Sequence, residues 1–89
     1  SPTDHRTLIR AARDFAASHP AFAADCGFLA LHWISAGRAY DPTTTDVLDA
    51  YDAMLPGADD EMLSKLRRMV EQSGDARWLK DVLSMRDWE

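Results

Sequence analysis

Asp25, His32 and Ser35 are the first residues in this chain whose types suggest chemistry, since an acid, an imidazole and a hydroxyl could serve as a nucleophilic triad. Their spacing argues against it. If Pro20 to Tyr40 is a helix, seven residues separate Asp25 from His32 by about 10 Å along the axis, whereas triad members must hydrogen-bond directly. His32 and Ser35 are close enough to touch but have no orienting acid nearby in sequence, so His32 is expected to be a semi-buried helix residue bonded locally.

Other chemical patterns fail on spacing too. His5, His19 and His32 form no HExxH pair, and Cys26 is the only cysteine, which leaves no internal disulfide and no cysteine-rich zinc site. Asp46, Asp49 and Asp52 fall within a helical pattern rather than a calcium-binding loop and are read as a solvated helix face. The glycines are isolated, so no phosphate-cradling loop is present. No catalytic, cofactor or metal residues are assigned, and the chain is expected not to be an enzyme.

The elements that must position these residues are helices. Pro20–Tyr40 is apolar on nearly every side, and steps of about 100° stack Phe22, Cys26, Leu29, Trp33 and Tyr40 into one stripe. This segment is expected to be the core, with Trp33 buried. Ala23, Gly27 and Ala30 form a shallow flank where a neighbour can approach closely. Thr3 or Asp4 caps a first helix that buries Leu8, Ile9, Ala12, Phe15 and Ala16 and carries Arg6, Arg10 and Arg13 in a row on its opposite face.

Ser18-His19-Pro20 ends that helix and starts the next, and Gly37 is a candidate stop for the second, although the stripe could carry it on to Tyr40. Thr43…Asp46 has capping-box spacing and opens a third helix with Val47, Leu48, Tyr51, Met54 and Leu55 inward. Pro56-Gly57 breaks it, Asp59-Asp60-Glu61 starts a fourth, and Asp75 is expected to cap a fifth containing Trp78, Leu79, Val82, Leu83 and Met85. No segment alternates as a half-buried strand would. The fold class is therefore all-α: a compact bundle of about five short helices, with hairpin, repeat-like spacing, around a buried central helix 20–38. Trp33-x-x-Ala36-Gly37-x-x-Tyr40 has the spacing that opens a tetratricopeptide repeat, but Asp41-Pro42 would interrupt the unit, and its later positions hold Asp49, Ala53 and Glu61.

Eighty-nine residues make one domain, 1–89, and Ser1 in place of an initiator methionine is expected to mean a chain that is trimmed, tagged or excised from something larger. The 28% charged residues and the absence of a long apolar run exclude a membrane span. The net charge of −5 argues against direct nucleic-acid binding. With no secretory signal, the cytosol is the expected compartment. Residues 41–61 carry seven acids and no base, so the acidic excess is local.

The expected function is a non-catalytic helical protein–protein interaction or regulatory module. Its partner would be another protein, the rest of a longer chain, or a second copy in a homo-oligomer. Trp78, Met85 and Trp88 are the expected apolar anchors, and Arg6, Arg10 and Arg13 a charged contact strip. The alternative is a small-molecule-binding domain or small enzyme with an inter-helix pocket near His32, Tyr40 and Tyr51.

Overall fold

The computed structural model describes residues 4–88. Five α-helices follow in order, α1 (His5–Phe15), α2 (Pro20–Ser35), α3 (Thr44–Met54), α4 (Asp60–Gln72) and α5 (Ala76–Leu83), with short 3-10 turns at Leu55–Gly57 and Ser84–Arg86. No strand occurs among the described residues. The all-α bundle expected from the periodicities is the fold observed.

Local chemistry sets most of the boundaries. The Asp4 carboxylate accepts from Arg6 N–H at 3.0 Å and caps α1, while Thr3 lies outside the described residues. Thr43 and Asp46 form a reciprocal capping box on α3, with each side chain accepting from the other's backbone N–H at 3.0–3.1 Å. Asp59 caps α4 through Met62 N–H. Asp75 does not cap α5: its own backbone N–H donates to Ser73 Oγ at 3.0 Å, so Ser73 organises that corner.

α2 stops at Ser35 rather than continuing to residue 38 or Tyr40. Gly37 takes φ +74°, and the Gly37 and Arg38 N–H groups turn back to the carbonyls of Ile34 and Trp33 at 3.1 and 2.9 Å. Those paired bonds satisfy the last carbonyls of the helix, and the left-handed residue they require carries no Cβ penalty only when it is glycine.

α1 and α3 flank α2, and α4 and α5 close the far side of α3 and α2. The expected close approach on the Ala23/Gly27/Ala30 flank is made by α3. A Cβ built on Gly27 would lie 2.7 Å from the Ala50 carbonyl oxygen and 3.0 Å from Met54 Cβ. Ala23, Ala30, Ile34, Val47, Ala50, Met54, Leu66, Leu79 and Leu83 are essentially excluded from solvent.

The face that α2 buries differs from the expected one. Cys26 alone of the predicted stripe is buried; Phe22 is 50% exposed, Leu29 39% and Tyr40 84%, and Trp33 is only half-buried. The bundle packs instead on the side holding Ala23, Ala24, Gly27, Ala30, Leu31 and Ile34. Small residues let a neighbouring backbone come close and bring many atoms into contact, and that gain outweighs the larger side chains left outside. Phe15, expected inside, is 41% exposed as well.

Candidate functional site

The acidic face of α3 is partly solvated, as expected, with Asp52 exposed, and it also carries contacts within the chain. Asp46, Asp49 and Asp52, spaced three apart, each meet a basic side chain from elsewhere in the chain: His5 Nε2 at 3.3 Å, Arg13 Nη1 at 3.6 Å and Arg86 Nε at 3.0 Å. Arg86 also reaches the second Asp52 oxygen at 3.2 Å, forming a two-pronged pair. The contact strip expected on α1 is therefore partly engaged within the chain, because Arg6 also donates to the Asp41 carbonyl at 3.4 Å. Arg10 is exposed.

His5, which the sequence does not mark out, is 1% exposed, with Nδ1 3.1 Å from Asp4 Oδ1 and Nε2 facing Asp46. Both ring nitrogens face carboxylates, so the residue clamps α1 to α3. Burial pushes the Asp46 carboxyl upward, but the hydrogen bonds from the Thr43 backbone, His5 and the Thr43 hydroxyl, together with the His5 charge, outweigh it and hold the carboxyl below the usual range.

Above this clamp lies a cleft of about 450 Å³ at the end of the bundle where α1 begins and α2 ends. Asp4, His5 and Arg6 form one wall, Trp33 a second, and the loop residues Arg38, Ala39 and Tyr40 a third. From the cleft an apolar seam runs along the outer side of α2 through Trp33, Leu29 and Phe22 to Phe15, whose ring meets Phe22 edge-on at 5.4 Å. Asp25 and His32 sit on the same exposed face of α2.

The triad arrangement is absent. Ser35 Oγ donates to the backbone carbonyl of His32 at 2.9 Å rather than to its ring, and His32 is exposed, with Nδ1 3.2 Å from Met69 Sδ on α4. His32, Tyr40 and Tyr51 are not brought together: Tyr40 lines the cleft, while Tyr51 is buried edge-on against Trp88 at 5.9 Å. Of the expected anchors, Trp88 is half-buried beneath the Arg67 guanidinium, 4.7 Å from its ring centre, and Trp78 packs on the core. Met85 alone remains mostly exposed, at 61%.

Cys26 is buried, and burial followed by the Asp25 charge raises its thiol above the ordinary value, which disfavours thiolate chemistry. Among the described residues no group of three or more His, Cys, Asp or Glu converges as metal ligands, and no helix is long and apolar enough to cross a membrane. No family model, curated protein or solved structure matches the chain.

Proposed function

We propose that this protein is a non-catalytic helical interaction module whose partner is a second copy of the same chain, joined α2 to α2 in antiparallel fashion. The observation that carries this reading is the seam itself: Phe15, Phe22 and Leu29 lie 39–50% exposed along one side of a chain that has a complete core without them. Aromatic and aliphatic residues in a continuous line are typical of a covered surface.

Polar pairing selects the occupant. Asp25 and His32 are two helical turns apart and nearly share an azimuth. A two-fold axis crossing α2 between residues 28 and 29 therefore sets Asp25 of each copy opposite His32 of the other, with the two Leu29 side chains beside the axis. Such a reciprocal pairing is what an isologous interface requires. A carboxylate facing an imidazole at matching positions can accept a hydrogen bond across the axis, which fixes register and suppresses other alignments. Phe22 of each copy then lies near Ala36 and Trp33 of its partner, extending the apolar contact to both ends.

Sedimentation from about 10 µM to about 1 mM tests the reading. A monomer–dimer equilibrium is expected, weakened at least about tenfold by Leu29→Glu, by Asp25→Arg and by His32→Asp. It should be recovered when Asp25→Arg and His32→Asp are combined, because the exchange places an arginine opposite a carboxylate. A single monomeric species at the highest concentration, or a double variant no better than either single one, overturns it.

A further inference from the structure

We propose that the cleft at the start of α1 and the end of α2 binds a small aromatic monocarboxylate, its ring against Trp33 and Tyr40 and its carboxylate between Arg6 and Arg38. This goes beyond self-association and concerns the single chain, because the proposed dimer would bring the partner's Phe22 near Trp33. The cleft's volume of about 450 Å³ lies within the range of small-molecule sites and is several times that of a bound water or ion.

Its walls are unusual for this chain. The 84% exposed Tyr40 and the half-buried Trp33 both line the cleft, so two aromatic side chains stand at one opening. Flat rings recognise other flat rings by offset or edge contact, and a guanidinium can cover the same ring. Within a chain of net charge −5, the cleft also gathers two arginines. Arg38 makes no ion pair with any described residue, and Arg6 makes only a 3.4 Å contact with a neutral carbonyl, near the limit of a hydrogen bond. Neither has to give up a strong partner to meet an anion. A guanidinium presents parallel N–H donors that match a carboxylate in two-pronged geometry.

The anion is singly charged on the same reasoning. The Asp4 carboxylate stands on the rim, held by His5 and Arg6 N–H, and offsets part of the arginine charge. A phosphate monoester carries up to two charges at neutral pH and would meet that carboxylate less favourably.

The walls are also tied to one another before any ligand arrives. Gly37 fixes the turn after α2, and the Thr43–Asp46 box anchors the loop to α3. His5 joins that box to α1, and Arg6 reaches the loop at Asp41. A backbone held this way loses little freedom on binding, and the ordering cost falls on the exposed Arg38 and Tyr40 side chains.

The test is titration of the full chain with 1-naphthylacetate, 1-naphthylacetamide and 1-naphthyl phosphate, followed by amide and indole N–H NMR shifts. Working at a concentration where sedimentation reports one species keeps the result separate from self-association. Saturable shifts at Trp33, Arg38 and Tyr40 are expected with the acetate, with binding at least about tenfold tighter than the acetamide. Arg38→Gln should bring the acetate down to the acetamide's affinity, and Tyr40→Ala should weaken both ligands alike. Both residues are exposed, so neither variant threatens the fold. Equal affinity for acid and amide, shifts centred on Phe22 and Leu29, or no saturable shift up to about 10 mM overturns the proposal. Tighter binding of the phosphate replaces the monocarboxylate with a phosphate ester and overturns that assignment.

Discussion

His5 Nε2 and Asp46 Oδ2 meet at 3.3 Å across 41 residues of chain, joining the first turn of α1 to the carboxylate that also accepts from Thr43 N–H at 3.0 Å. One oxygen thus serves a helix cap and a tertiary contact. The cap holds the carboxylate still, which lowers the entropic cost of the longer-range bond.

Removing the clamp should be costly because its centre is buried. His5→Ala is expected to destabilise the fold by about 2–4 kcal/mol, through the void it leaves and the loss of both ring-nitrogen contacts. Urea unfolding measures this. A loss below about 0.5 kcal/mol, the range of ordinary surface substitutions, would show that His5 does not hold α1 to α3.

Acid stability follows from Asp46. Its carboxyl is held below the ordinary value in the folded chain, because bonds from Thr43 and His5 overcome the opposing effect of burial. The stabilisation is therefore fully present above the unfolded value of about 3.9 and is lost as pH falls through the lower folded value. Melting temperature should drop over that acidic interval. The drop should be shallower in Asp46→Asn, which starts lower at neutral pH. Parallel acid limbs for the two proteins would assign the loss to other carboxylates.

Gly27 and Gly74 should respond to alanine differently. Gly27→Ala gains about 1 kcal/mol in helix propensity but drives its Cβ to 2.7 Å from the Ala50 carbonyl oxygen, a backbone atom that cannot swing aside. Overpacking of this kind costs about 1–3 kcal/mol, so destabilisation is expected along with altered α2–α3 packing. Gly74→Ala, with nothing within 4 Å of the added carbon, should stay within about 0.5 kcal/mol of the parent. Differential scanning calorimetry on the pair checks the ordering, and a stabilised Gly27→Ala would contradict the close approach of α3.

Trp88 and Met85 should separate by role. Trp88→Ala removes an edge contact with Tyr51 at 5.9 Å and a cation–π contact with Arg67 at 4.7 Å, and should cost about 2–3 kcal/mol of stability. Met85→Ala, at a mostly exposed site, should cost less than about 0.5 kcal/mol. Equal effects in guanidinium unfolding would place Trp88 outside the chain's own packing.

Local residue chemistry sets the helices and most of their ends. Asp4, Thr43, Asp46 and Asp59 cap at the places their types predict, and Gly37 supplies the left-handed stop. These features are legible because a cap or a turn is settled within about four residues of chain.

The inward face of α2 was not legible. A helix that is apolar on nearly every side has no preferred azimuth, so Phe22 and Leu29 could be placed in the core as readily as Ala23 and Ile34. Tertiary structure decided it, through the close backbone approach that Gly27 permits. Only the folded chain brought His5 to Asp46, Arg86 to Asp52, and Arg6 to the loop carrying Arg38 and Tyr40. Contacts over 34 to 41 residues have no local signature, because they exist only once packing has set the distance between helices.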